Sequence, residues 1–243
     1  MEIGAKTDIG KTRDNNQDAY YISQEGDNFL FVIADGMGGH KAGETASNMA
    51  VDIIGDSLNI LLTKSNLSEK EIEDKIKASI HDANSRIYKK SMKDERFSGM
   101  GTTVTLAYIK DKDIFIGHAG DSRAYILRNN VLVQVTKDHS LVEELIRNGS
   151  ISEEEAKHHP QRNVITRAVG SSSEINTDLI KEYKNHGDIL LLCTDGLTSM
   201  LNDDEIKNSL LSNESMQKAC EDLVRLSNDK GGFDNITILA VKF

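Results

Sequence analysis

Residues 29–36 read Phe29-Leu30-Phe31-Val32-Ile33-Ala34-Asp35-Gly36, an apolar run that stops on an aspartate and a glycine. A short apolar stretch rich in β-branched and aromatic residues and bounded by turn formers predicts a strand. The signature returns in Ile114–Ala119 before Gly120-Asp121 and in Ile189–Thr194 before Asp195-Gly196. It returns again where Gly231-Gly232-Phe233-Asp234-Asn235 opens the run Ile236–Val241. Thr103–Ile109, Ala124–Leu127 and Val131–Val135 complete the set of apolar runs. Asn129-Asn130 stands between two of them as a tight hairpin turn, since asparagine tolerates positive φ.

Helical periodicity appears elsewhere. Ala46, Met49, Ala50, Ile53, Ile54, Leu58, Leu61 and Leu62 recur at three- and four-residue spacing. A second helix is announced by Ser68 with Glu71 three residues on, a capping box, and continues through Ile72, Ile76, Ile80, Ala83 and Ile87. A third is expected over about Ser215 to Ser227, with Met216, Ala219, Cys220, Leu223 and Leu226 inward. Strands that follow one another directly imply antiparallel sheets and an α+β chain, with helices covering the outer faces. Between Asp138 and Gly170 the pattern weakens to two short helical segments, one near Leu141–Ile146 and one at Glu153–Glu155, which reads as a surface excursion.

The chain has 243 residues, a single proline and no linker-like segment, which points to one domain. Its formal charge of −10 lacks the basic footprint of a nucleic-acid binder. Cys193 and Cys220, each in an apolar pattern, do not form a disulfide framework and read as small core residues. No stretch reaches the ~18 apolar residues needed to span a bilayer. Residues 1–8 carry no apolar core of signal-peptide length, so the expectation is the cytoplasm, without membrane partners.

The chemistry gathers at the aspartates. One Asp-Gly after a strand is an ordinary turn, but Asp35, Asp121, Asp195 and Asp234 repeat the placement. If the sheets bring those ends together, each pair of charges 4 Å apart repels by about 4 kcal/mol at an effective dielectric of 20. Such a cluster needs cations among its members, and hard oxygen donors select Mg²⁺ or Mn²⁺ over Zn²⁺. Gly36, lacking a Cβ, leaves its carbonyl free to approach a metal closely. Two cations about 3.5–4 Å apart can share a water, lower its pKa and aim it at phosphorus. A phosphate dianion then needs a cationic clamp. Arg13, in Arg13-Asp14-Asn15-Asn16-Gln17-Asp18, is the candidate, because a guanidinium engages phosphate oxygens in pairs.

Taken in order, Arg13…Asn16-Gln17-Asp18, Asp35-Gly36-Met37-Gly38-Gly39-His40, Gly99-Met100-Gly101-Thr102-Thr103, Gly117-His118-Ala119-Gly120-Asp121-Ser122-Arg123, Asp195-Gly196-Leu197 and Asp234-Asn235-Ile236-Thr237 resemble the metal-dependent serine/threonine phosphatases of type 2C, in their compact bacterial form. The resemblance covers nearly the whole chain. It implies a four-layer α-β-β-α sandwich, two antiparallel sheets flanked by helices, with the metals in a cleft at one end. It implies that Asp35, Asp195 and Asp234 hold the first of two core Mn²⁺ or Mg²⁺ ions, with Asp35 bridging and the Gly36 carbonyl reaching the second. Asp121 with Asp195 would form a third site. Asp18 would orient metal-bound water, Thr102 would lie in the turn behind the cleft, and Asn235 would fix Asp234. The stretch 138–170 would be a mobile flap.

Two positions depart from the wider family. Gln17 stands where many members have glutamate, a neutral amide in place of a charge near the second metal. Met37 stands where animal members have a histidine, so the proton for the leaving group would come from His40, three residues on, or from metal-bound water. The expected function is hydrolysis of phosphoserine and phosphothreonine in proteins by a monomer that opposes a bacterial serine/threonine kinase and acts on that kinase and its substrates. The competing expectations are a hydrolase of small phosphoesters and a catalytically weak phosphoprotein-binding module.

Overall fold

The computed structural model describes residues 1–39, 41–63 and 67–243. Its strands form two antiparallel sheets. One runs β1 (Glu2–Asp8), β11 (Ile236–Lys242), β10 (Ile189–Cys193), β7 (Arg123–Arg128) and β8 (Val131–Gln134) in spatial order. The other runs β2 (Asp18–Glu25), β3 (Asn28–Met37), β5 (Val104–Lys110), β6 (Asp113–Ala119) and β9 (Asp178–Tyr183), with the two-residue β4 (Gly101–Thr102) on the end of β3. The turn between β7 and β8 holds Asn129 and Asn130 at φ 51° and 63°, the paired left-handed geometry of a type I′ hairpin.

The layers follow from which residues each strand points each way. Phe29, Phe31 and Ile33 of β3 face Leu190 and Leu192 of β10 and Leu239 of β11, closing the space between the sheets. The alternate residues Leu30 and Val32 turn outward under α1 (Lys41–Leu62) and α2 (Glu69–Lys93), against Ala46, Ile54, Ile76 and Ile80. On the other sheet Leu191, Cys193 and Ile238 pack beneath α5 (Asp195–Thr198), α6 (Asp203–Ser212) and α7 (Met216–Asp229). The chain is thus an α-β-β-α sandwich of two antiparallel sheets. Each large apolar side chain taken fully from water contributes about 1.5–3 kcal/mol, and the three clusters take up nearly all the apolar runs.

The predicted capping box is present. Ser68 Oγ accepts from the Glu71 N–H at 3.3 Å while the Ser68 N–H donates to Glu71 Oε2 at 2.9 Å. The excursion contains α3 (Leu141–Arg147) and α4 (Glu153–Lys157), and antiparallel bridges Ser140–Ile165 and Thr102–Val169 fasten its two ends. Both cysteines are buried and free, as core residues. In one respect the strand ends differ from expectation. Asp35 and Gly36 are not a turn after β3 but lie within it, because β4 supplies partners at Gly36–Thr102 and Met37–Gly101.

Candidate active site

The site lies where the ends of both sheets meet. Asp18 and Asp35 are opposite residues on β2 and β3, so their side chains share one face. Asp195 follows β10, Asp234 and Asn235 precede β11, and Asp121 sits where the chain crosses from β6 in one sheet to β7 in the other. Five aspartates scattered along the sequence are thereby brought to one place.

Their environment is that of charges kept from water. Burial raises the Asp35 carboxyl well above its ordinary value of 3.8, and the charges of Asp18, Asp195, Asp121 and Asp234 push the same way. Burial also takes Asp18 up to about 7, although Thr194 Oγ1 donates to its Oδ2 at 2.9 Å. Asp121 rises to about 7 through burial and the charges of Asp195 and Asp138. Asp195 rises to about 6 through burial and the charge of Asp234, and it lies within hydrogen-bonding reach of the Asp35 carboxyl. Among the described residues, one oxygen each of Asp18, Asp121 and Asp195 is buried without a hydrogen-bond partner. A buried acceptor left without a donor costs about 1–3 kcal/mol, more when charged.

Two guanidiniums face this group. Arg123 is committed, donating to both oxygens of Asp138 at 2.7–3.0 Å. Arg13 donates through Nη2 to Asp234 Oδ2 at 2.7 Å and is half exposed. Among the described residues, no three acidic, histidine or cysteine side chains already form a complete metal cage. Asp234 instead has Arg13 on one oxygen and the Asn235 N–H on the other, at 2.8 Å. The donor set is nonetheless oxygen-only, and three of its oxygens have no hydrogen-bond partner among the described residues. That is the chemistry that suits Mg²⁺ or Mn²⁺.

Backbone contacts hold the carboxylates in place. The Asp35 carbonyl accepts from Thr102 Oγ1 and the Thr103 N–H, both at 2.8 Å, and the Asp35 N–H donates to Thr103 Oγ1 at 2.9 Å. Thr102 thus ties β4 to the backbone of Asp35. Glycine at 36 also meets a packing need. A Cβ there would stand 2.1 Å from the Gly43 carbonyl oxygen and 2.6 Å from that of Gln17, so glycine lets β3 lie against the start of α1. Gln17 is buried in that joint, its Nε2 donating to the Gly38 carbonyl at 3.3 Å.

Asn235 bonds Asp234 through its backbone N–H, and its carboxamide hydrogen-bonds elsewhere. Oδ1 accepts from the Gln17 N–H at 2.8 Å, and Nδ2 donates to the carbonyls of Ile9 and Asn15 at 2.9 and 3.0 Å. The side chain therefore pins the loop that carries Arg13, and only the Asn235 backbone N–H fixes Asp234. His40 lies outside the described residues. His118 and His139 are buried and hydrogen-bonded, to Thr105 and Lys137 and to Gly120 and Asp178 respectively.

Above the carboxylates opens a cleft of about 730 Å³. Arg13, Asp121, Asp195 and Asp234 line its floor, and Val142, Ile146 and Arg162 of the 138–170 excursion form one wall. The exposed Phe233 stands at the rim. Nothing in the sequence marked Phe233 as part of the cleft or paired Arg123 with Asp138, 15 residues further on.

A family profile described as protein phosphatase 2C matches residues 10–237. The chain is 39% identical over 243 residues to the serine/threonine phosphatase stp of Listeria welshimeri, covering all of this chain and 96% of that one. The structure of the S. agalactiae serine/threonine phosphatase superposes with a TM-score of 0.92 at 38% identity, over 99% of this chain and 98% of that chain. The catalytic domain of the serine/threonine protein phosphatase PstP, solved in complex with two manganese ions, superposes at 0.84 with 32% identity, over 98% of this chain and 96% of that one.

Proposed function

We propose a working site from the premise that this chain belongs to the protein phosphatase 2C family and is a metal-dependent serine/threonine protein phosphatase. Its cofactors are Mn²⁺ or Mg²⁺. The observation that carries the site assignment is the group of buried carboxylate oxygens of Asp18, Asp121 and Asp195 that have no hydrogen-bond donor among the described residues. Asp35, Asp195 and Asp234 would hold one ion, Asp35 and the Gly36 carbonyl a second, and Asp121 with Asp195 a third. Bound there, divalent cations supply a deprotonated water at neutral pH and Lewis acidity toward phosphoryl oxygens.

The chain's own groups do the rest. Arg13 keeps one edge on Asp234 and offers its remaining N–H groups to phosphate, which places the phosphoryl group over the carboxylates. Asp18, with Oδ2 held by Thr194, turns its free Oδ1 to accept a proton from water. Met37 has no proton to give, so the leaving group takes its proton from water or from His40. The 138–170 excursion acts as a flap in a single catalytic domain. A cleft of about 730 Å³ is far larger than a phosphate and favours a protein substrate over a small ester. The substrates are phosphorylated proteins. A serine/threonine kinase and its targets are the proposed counterparts, met in the cytoplasm by a monomer. No helix among the described residues is long and apolar enough to cross a membrane.

The decisive experiment is turnover of a phosphothreonine peptide with Mn²⁺, with Mg²⁺ and with chelator, beside a small phosphoester. Metal-dependent hydrolysis that favours the peptide is expected. Equal turnover in chelator would refute the metal assignment, and a preference for the small ester would refute the protein substrate. Arg13→Ala is expected to raise KM for phosphate esters several-fold with little change in metal affinity, and an unchanged KM removes Arg13 from the clamp.

The carboxyl environment predicts a pH effect with a definite sign. Asp18, Asp121 and Asp195 bind protons more tightly folded than unfolded, since about 7, about 7 and about 6 exceed 3.8. Between 3.8 and about 7 the folded state holds more protons, so these groups make stability fall as pH rises. Metal-stripped protein should therefore melt several degrees higher at pH 5.5 than at pH 7.5. Saturating Mn²⁺ should reverse the order, because the cation competes with those protons. Calorimetric melts at the two pH values, with chelator and with Mn²⁺, decide it, and parallel slopes would remove the carboxylate cluster as the cause.

A further inference from the structure

Asn84 lies in the middle of α2, wholly buried on the face that otherwise carries Ile76, Ile80, Ala83 and Ile87. A buried carboxamide in an apolar stripe calls for an account of its hydrogen bonds. The other buried polar residues of this helix with assigned partners, Ser79 and Ser91, bond back to carbonyls of their own helix. Asn84 reaches away from it. Its Oδ1 accepts from the Gly170 N–H at 2.6 Å, and its Nδ2 donates to the Ser172 carbonyl at 3.0 Å. Gly170 is laid hard against the helix at φ +88°, where a Cβ would stand 2.1 Å from Ile87 Cγ2.

The contacts continue from there to the cleft. Val169, next to Gly170, exchanges both backbone hydrogen bonds with Thr102, at 2.9 and 2.8 Å. Thr102 Oγ1 and the Thr103 N–H hold the Asp35 carbonyl. Val169-Gly170 is also where the 138–170 excursion rejoins the body of the protein. One carboxamide on α2 thus secures both the returning end of the cleft wall and the strand pair that carries Asp35.

We infer that Asn84 is a positioning residue for this phosphatase, setting the register of Thr102 and Asp35 and hence the metal affinity of the site through the Gly170-Val169 joint. The inference rests on the site assignment proposed above and adds a remote determinant to it. Its chemical logic is that a bidentate clamp on a turn fixes two backbone groups at once, whereas apolar packing against Gly170 would fix neither.

The test compares Asn84→Ala with Ile80→Ala, a cavity one turn earlier on the same helix face that leaves Gly170 alone. Both are measured well below their melting temperatures, with folding verified by circular dichroism. Calorimetric Mn²⁺ affinity, kcat and KM on a phosphothreonine peptide, and amide hydrogen exchange at Thr102, Thr103 and Gly170 are the readouts. Asn84→Ala is expected to weaken Mn²⁺ binding and lower kcat by at least about tenfold with KM little changed. Protection should fall at all three amides. Ile80→Ala should lose stability and none of these. Wild-type metal affinity and kcat in folded Asn84→Ala, or equal losses in Ile80→Ala, would overturn the inference. Should Asn84→Ala not fold, Asn84→Asp decides, because its carboxyl keeps the acceptor for the Gly170 N–H but loses the donor to the Ser172 carbonyl. Mn²⁺ affinity and kcat at least several-fold below wild type in the folded variant support the two-point clamp, and wild-type values overturn it. Wild-type protein inactive with Mn²⁺ would count against the functional reading itself. The exchange data on Asn84→Ala would still stand on their own.

Discussion

Asp35→Ala is expected to abolish divalent-cation-dependent hydrolysis and, at the same time, to raise the melting temperature of the cation-free protein. Both effects come from one carboxylate. It is buried beside Asp195 and under the field of three further aspartates, so in the absence of cations its ionised form is a desolvated charge with like charges around it. Removing it relieves that repulsion. The fold tolerates the change because the Asp35 contacts that join β3 to Thr102 and Thr103 use its backbone N–H and carbonyl, which alanine retains. The proposed role as the ligand common to two ions makes the functional loss large. A fall of three decades in kcat/KM corresponds to roughly 4 kcal/mol of transition-state stabilisation, a reasonable size for a ligand shared by two ions. Steady-state rates with Mn²⁺ and calorimetry in chelator read the two halves separately. Substantial turnover in the variant would remove Asp35 from the bridging position. A lowered melting temperature would show that the carboxylate supports the fold and is not a strain upon it.

Gly196→Ala should be nearly as damaging, by a wholly steric route. A Cβ on residue 196 would sit 2.0 Å from the Asn235 carbonyl oxygen and 2.9 Å from its carbon. Those are backbone atoms, with no rotamer to move aside. The segment has little freedom to retreat, because the Asn235 side chain is tied to Gln17, Ile9 and Asn15. The methyl group therefore drives Asp195 and Asp234, each next in sequence to a colliding residue, away from one another. Overpacking of this kind costs about 1–3 kcal/mol and occasionally more. The spread carboxylates should lose Mn²⁺ affinity by about a hundredfold, at the upper end of what displaced metal-supporting groups cost. Gly39→Ala is the matched control, since, chain neighbours aside, a Cβ there meets no atom of the described residues within 4 Å. Near-normal Mn²⁺ binding in Gly196→Ala would mean that the Asp195–Asp234 spacing does not govern the site.

Much of this was legible in the residues. The long helices showed themselves through periodicity, and the central strands through unbroken apolar runs such as Phe29–Ala34 and Ile189–Leu192. Such segments are buried on their contact faces, and burial is what writes a pattern. The edge strands β1, β2 and β9 escaped notice. Glu2–Asp8 and Asp178–Tyr183 pair on one side only, are mostly half-exposed, and so carry mixed polar sequences. The helix α6 was missed although its signal stood in the chain, Asn202 followed three residues later by Glu205. Asp195-Gly196, read as a turn, instead begins the short α5. At the site, the aspartates could be found because each closes or opens an apolar run. Their supports could not. Asn235 holding Gln17, Arg13 meeting Asp234 and Asn84 reaching Gly170 join residues 218, 221 and 86 positions apart, and no local pattern encodes such pairs.

The aspartates are divided between the two sheets, Asp18 and Asp35 on one, Asp195 and Asp234 flanking strands of the other. An ion seated among them would act as a rivet through both leaves of the sandwich. Any shear of one leaf over the other would stretch its coordination, and its binding would resist that shear. Side chains such as Phe31 and Leu192, deep in the seam and out of reach of any substrate, would then help to tune the ion's grip. Trimming the seam should loosen the metal more than trimming either outer helical layer by the same volume.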